Sequence, residues 1–349
     1  MVFIKSIRPN LRFVNMFYGF TLCLNTFKLQ PKLMKRCMSS ISKSEIKKAK
    51  NELFDQELKN QRAAVGRVKK IDVKFDSYED EIYLVMNKDL STPYDCAKHM
   101  TEGVTKTSAI ALVNGEPWDM HRPLTGDCNL KLLTMRTPEV PAVNNAFWRT
   151  CSLMLGAVAD SVFKEDLTVH LHSFPAPNIK SGSFIYDVYI ELPNWKPTIS
   201  ELKALSADFV RLANKEHFIQ RLETTPELAQ EIFKDNPFKL EQIPSIAHNN
   251  NGKVILYRLG AHIDISKGPM VGNTGLIGKS TITAVHKLKT DDVENLYRFQ
   301  GVAIPKGILL NHFAFSILEN QAKKLNESIW IPRKVSESSD DEAMIVAAN

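Results

Sequence analysis

The stretch at 257–278, YRLGAHIDISKGPMVGNTGLIG, constrains the fold more than any other part of the chain. A short apolar run at 254–259 passes into a segment with four glycines after Gly260, a proline at 269 and small polar residues. Glycine lets the backbone approach a neighbour closely and proline fixes a bend, so the segment is expected to be a rigid platform of turns beyond a strand. Such platforms commonly line pockets. The side chains available for chemistry are few: Asp264, Ser266 and Lys267, then Met270 where a base or metal ligand would stand.

YRLGAHIDISKGPMVGNTG resembles the second motif of the editing domain of threonyl-tRNA synthetase, whose usual form is a Cys, three residues, then a His before a Pro-Asn-Thr-Gly turn. Upstream, FWRTCSLMLG at 147–156 resembles the family's first motif, a His-x-x-x-His just before Leu-Gly. Residues at i and i+4 face one side of a helix, so that motif aims two imidazoles at one point. With the Cys and His of the second motif, the resemblance implies a site for a metal or for general acid/base work. Here the matching positions are Arg149, Leu153, Ser266 and Met270. Arginine is a permanently charged donor, leucine is apolar, methionine is a weak acceptor, and Ser266 has no base beside it in the motif. The scaffold resembles the family and the chemistry does not, so no catalytic residue, metal or cofactor is expected.

The formal charge is +6, unevenly placed. Eight basic residues and no acid precede Glu45, which leaves a net charge of about −2 for the rest of the chain. A strong nucleic-acid field on the body is therefore not implied. Residues 1–43, basic, acid-free and ending in MSSIS, have the composition of a mitochondrial presequence. The rival is a secretory signal, since 14–27 is largely apolar; that run includes Asn15 and Asn25 and is too short to span a bilayer. The five cysteines, Cys23, Cys37, Cys96, Cys128 and Cys151, form no C-x-x-C pair, which fits single thiols in a reducing compartment.

Residues 44–66 are read as an N-terminal helix, with Ser42 and Glu45 as a capping box and Ile46, Leu53, Phe54 and Leu58 as a docking stripe. It is either a charged surface helix or a grip for RNA or a partner. Residues 67–138 read as a β-rich domain. Strands are expected at 69–75, 81–86 and 129–135, a helix from Thr92-Pro93-Tyr94 through Met100, and a hairpin at Asn114-Gly115. LSTPYDCAKHM and ALVNGEPWDMHRPL resemble the TGS domain, a β-grasp module. That resemblance implies binding of a ligand or RNA and no reaction.

Residues 139–306 are the editing-like domain, with helices expected at 144–162 and 198–215 and strands at 183–192 and 254–259. The fold class is thus α+β: a β-grasp, TGS-like domain followed by an α+β editing-like domain. His170 and His172 share one strand face, which is read as solvated because no third ligand lies near in sequence. PELAQEIFKDNPFKLEQI at 226–243 resembles a family stretch that ends in a turn before a leucine-rich strand. Lys267 and Arg149 could meet a phosphate or pair with Asp264. Gly278-Lys279-Ser280 ends like a phosphate-binding loop, but its first glycine would have to be Asn273, so nucleotide binding is not expected. Residues 307–349 read as a helix from 312 to 326 and an acidic tail, SESSDDEA. That is far too little for an aminoacylation core.

Together the leader, the TGS-like domain and the chemically emptied editing-like domain resemble a family of mitochondrial large-subunit ribosomal proteins. The resemblance implies a structural role in the mitochondrial matrix, with ribosomal RNA and neighbouring large-subunit proteins as partners and no membrane or small-molecule substrate. The alternative is a freestanding tRNA-binding or mischarged-tRNA editing protein of the matrix.

Overall fold

A helix of the first described residues sets the arrangement that follows. In a computed structural model, residues 42–76, 81–136, 140–290 and 293–330 are described, all within the unit Ser42–Asn349. The presequence reading and the acidic tail lie outside them. Helix α1 (Lys43–Ala64) begins with the capping box: Ser42 Oγ accepts the Glu45 N–H at 3.2 Å, and Glu45 accepts the Ser42 N–H at 2.9 Å. Its stripe is docked. Phe54 is fully buried with Leu222, Ile232, Ile243 and Leu256, and Leu53 and Leu58 flank it. The charged side is used as well: Lys47 meets Asp160, Lys50 meets Asp235 and Asp55 meets Arg258, each at 2.7 Å.

Next comes a mixed five-stranded sheet in the order β2-β1-β5-β3-β4. Strands β1 (Lys70–Asp76) and β2 (Glu81–Asn87) form an antiparallel hairpin. Strands β3 (Ser108–Val113) and β4 (Glu116–Trp118) turn through Asn114 and Gly115, both at positive φ, the conformation that Asn-Gly hairpins favour. Strand β5 (Cys128–Thr134) closes the sheet, parallel to β1. Alternate residues Ile71, Val73 and Phe75 turn inward beneath α2 (Pro93–Lys98), whose Thr92 cap and first-turn proline fix its start. A second short helix, α3 (Glu102–Thr107), was not legible in the sequence; the Thr101 side chain that caps it was its one signal.

The larger core lies under α4 (Val140–Val162) and α5 (Ile199–Asn214). They pack on an antiparallel sheet ordered β11-β12-β7-β6, from β6 (Val169–Ser173), β7 (Phe184–Ile190), β11 (Ile277–Lys287) and β12 (Leu296–Pro305). A three-stranded sheet holds β8 (Ile219–Thr224), β9 (Val254–Leu259) and β10 (His262–Ile265), with β9 central. Beside it run α6 (Pro226–Ile232) and α7 (Pro237–His248). The last helix, α8 (His312–Ala322), buries Phe315 and Ala322 against Val302 and leaves Phe313 and Ile317 outside.

Two expectations are corrected. The leucine-rich strand after the Asp235-Asn236-Pro237 turn is helix α7: Asn236 accepts the N–H groups of Phe238 and Lys239, and Pro237 occupies the first turn. An asparagine followed by proline is a helix-start signal as well as a turn signal, and the helix won. The face of His170 and His172 is only partly solvated: both are half-buried, because Phe238 of α7 packs on it, with ring centroids 6.3 and 5.0 Å from theirs. Gly278-Lys279-Ser280 lies at the start of strand β11, with no helix following, so the phosphate-loop architecture is absent there. Cys96, Cys128 and Cys151 are free, buried thiols. Among the described residues, no helix is long and apolar enough to cross a membrane.

Candidate functional site

Helix α4 carries Arg149 and Leu153, and the loop after β10 carries Ser266 and Met270. The two elements meet. Arg149 Nη1 donates to the Pro269 carbonyl at 3.1 Å. One residue on, the Thr150 hydroxyl accepts the Val271 N–H at 3.0 Å, bonds the Ala146 carbonyl at 2.7 Å and lies 3.7 Å from the Met270 sulfur. Leu153 and Met270 belong to the apolar core, at 0% and 1% exposure. Ser266 is half-buried and accepts the Gly268 N–H at 3.4 Å. The side chains at these positions thus face core or backbone, and burial pulls the Arg149 pKa below its ordinary value. Gly268 has φ +73°, and a Cβ there would come within 1.8 Å of the Tyr257 hydroxyl, so this turn requires glycine.

Asp264 pairs with neither Lys267 nor Arg149, as the sequence had allowed, but with Lys239 of α7 at 2.6 Å, both side chains being almost wholly buried. Tyr186 of β7 donates to the same carboxylate at 2.6 Å, and the Ile265 N–H does so at 2.8 Å. Burial first, and then the Asp264 charge, hold the Tyr186 phenol well above its usual range. Such a pair survives in a dry interior only because its remaining lone pairs and protons are satisfied. Sequence reasoning missed Lys239 and Tyr186. The available signal was helical spacing: Lys239 lies four and eight residues before Ile243 and Ala247, the buried stripe of α7.

A second carboxylate arrives from the β-grasp region. Asp119, just beyond β4, accepts the Met270 N–H at 2.8 Å and the Tyr257 hydroxyl at 3.0 Å, with Arg221 Nε 3.7 Å away. Burial raises the Asp119 pKa, against the opposing pull of the Met270 N–H, Arg221 and Tyr257. His121 Nε2 lies 2.9 Å from the Gly272 carbonyl, so a second residue of the same segment is tied to the loop. No signal local to Asp119 pointed to this contact, which links residues 151 apart in sequence. Chemically the arrangement is a closed hydrogen-bonded junction. Among the described residues no cluster of three His, Cys, Asp or Glu side chains could hold a metal ion.

Comparison with known proteins is consistent with this architecture. The TGS domain family matches residues 85–134. Cytoplasmic threonine–tRNA ligase 2 of Homo sapiens is 32% identical over 218 residues, covering 62% of this chain and 25% of the ligase. The mitochondrial threonine–tRNA ligase of Rattus norvegicus is 30% identical over 237 residues, covering 64% of this chain and 30% of the ligase. The chain therefore spans under a third of those enzymes' length. Large ribosomal subunit protein mL39 of Drosophila melanogaster is 51% identical over 277 residues, covering 79% of this chain and 83% of that protein. With an identity that high over most of both chains, this chain belongs to the mL39 family of large ribosomal subunit proteins.

Proposed function

We propose that the chain is a structural component of the large subunit of the mitochondrial ribosome and performs no reaction of its own. The observation that carries this reading is the 51% identity to a large ribosomal subunit protein across 83% of its length. The acid-free basic leader supports a mitochondrial address. In this reading Arg149, Leu153, Ser266 and Met270 stand where an editing enzyme would hold its working residues, and they serve as packing. Phe313 and Ile317 of α8, at 75% and 54% exposure, are large apolar side chains on one helix stripe, and Leu309, at 95%, lies in the loop just before it. A stripe of that kind suits a protein held within an assembly. Ribosomal RNA and neighbouring large-subunit proteins are the partners this role requires.

Sedimentation of a mitochondrial lysate on a sucrose gradient tests the proposal, with a high-salt wash in parallel. The expected result is co-migration with large-subunit RNA that survives the wash. Recovery only at the top of the gradient would overturn the reading, and release of amino acid from mischarged tRNA by the purified chain would overturn its non-catalytic part.

A further inference from the structure

A cleft of about 350 Å³ opens between α5 and β11, lined by Glu216, Gly275, Gly278, Lys279, Ser280 and Lys306 among others. Gly275 belongs to its wall; a Cβ there would press within 2.8 Å of the Glu216 side chain. Ser280 is 7% exposed, and its buried hydroxyl has no hydrogen-bond partner. Buried polar groups are nearly always satisfied, so an orphan hydroxyl in a cleft wall points to a missing acceptor or donor.

The charges around the cleft are mostly positive. Lys306 lies 3.2 Å from Glu216, a mutually exposed and therefore weak pair. Exposed Lys279 rests over the Phe315 ring at 4.0 Å. Exposed Arg136 is held beside Lys306 by donating to the Gly307 carbonyl at 2.8 Å. The Glu216 charge also reaches Lys106, whose own partner is Glu102. Two residues from Glu216, Phe218 is 49% exposed and bridges to Asn273 through its backbone. Its ring is held by the rings of Tyr94 and His121, at 5.2 and 4.9 Å, and Lys98 sits over Tyr94 at 4.6 Å. A propped aromatic ring beside lysines is the arrangement that binds single-stranded nucleic acid: a base stacks on the ring and phosphates meet the ammonium groups.

We propose that single-stranded RNA runs from this cleft onto the Phe218 ring outside its wall, with backbone phosphates at Lys279 and Lys306 of the cleft and a base on Phe218. The assignment deepens the ribosomal reading and rests on it for the identity of the polyanion. It locates RNA affinity at one place on a body whose net charge, beyond the leader, is near neutral.

The test is fluorescence anisotropy of the full chain with a labelled oligouridine, read as affinity against salt. Each single-strand phosphate contact contributes roughly 0.7 to the salt slope, so Lys279→Gln/Lys306→Gln should lower it by about 1.4, and Lys279→Glu/Lys306→Glu should weaken binding at least ~10-fold. Phe218→Ala should weaken binding roughly 10-fold with little change in slope. A charge-matched control on the exposed side of α1, Lys48→Glu/Lys59→Glu, should stay within about twofold. All variants keep the basic leader, so its contribution cancels, and thermal melts check folding. Cleft variants that bind like the unaltered chain, or a control that loses as much, would overturn the proposal. The gradient separates the two readings. A chain that co-migrates with large-subunit RNA while its cleft variants bind oligouridine normally keeps the ribosomal role and loses this site. Cleft variants that bind RNA normally but leave the gradient peak would assign the cleft to a protein neighbour instead.

Discussion

The Met270 junction and the Lys279–Lys306 cleft each take part of their wall from the stretch 264–280, before and after the Asn273-Thr274-Gly275 turn, yet their polar groups are treated differently. At the junction, Asp264 and Asp119 are buried and each accepts several donors from the surrounding protein. At the cleft, lysines face solvent and a serine hydroxyl goes unmatched. The carboxylates that meet the loop at the junction are satisfied from within the protein. Capacity for a ligand resides where polar groups are not.

If that contrast is right, removing a charge at the junction costs folding stability, whereas removing one at the cleft does not. The largest effect is expected for Lys239→Met, which leaves the Asp264 carboxylate buried without its cation. A loss of about 3–5 kcal/mol is expected by denaturant titration, and Lys239→Met/Asp264→Leu should recover a good part of it. Equal losses in the single and double variants would show that packing, not charge, holds this place. Asp119→Ala should cost about 3 kcal/mol, since it strands the Met270 N–H and the Tyr257 hydroxyl in a buried site. Because Asp119 ties the β-grasp region to the loop, this variant should also make the melting transition less cooperative by calorimetry.

Acid gives the third handle. Burial, with some help from the Lys239 charge, pulls the His172 pKa down to about 4. A group whose folded pKa lies below its unfolded value favours the native state above the unfolded pKa. Stability should therefore hold above pH ~6.5 and fall by roughly 2–3 kcal/mol on the way to pH ~4. His170 is shifted the same way, chiefly by burial. Replacing His172 by Gln should flatten that part of the pH profile; an unchanged slope would place the sensitivity elsewhere. The smallest effect belongs to the cleft. Lys279→Ala and Lys306→Ala should each stay within about 1 kcal/mol of the unaltered chain, the cation–π contact of Lys279 being the larger of the two losses. A greater loss would mean that the cleft is a structural joint too.

Local chemistry was enough for much of this. Ser42 with Glu45, Thr92 with Pro93 and Asn114 with Gly115 specify caps and a turn through bonds within a few residues, so they read directly from sequence. Period-two and helical patterns placed β1, β7, α4 and α5. They did not decide whether residues after Asn236-Pro237 would run as helix or strand, because the short apolar segment there satisfies both and only the packing of α7 against β6 and β9 separates them. The reading of Arg149, Leu153, Ser266 and Met270 as lacking the residue types of the editing motifs rests on residue type alone.

What surrounds those positions was not legible. Lys239, Tyr186, Asp119 and Arg221 converge from separate segments, and their pairings depend on which surfaces become dry, a property no window of sequence contains. The same holds for the cleft, where Glu216, Lys279 and Lys306 come to line one opening only after α5 has packed on β11. Sequence determined which groups exist and how each short segment bends. Tertiary structure decided which charges are buried and which remain available, because burial is set by packing between segments distant along the chain.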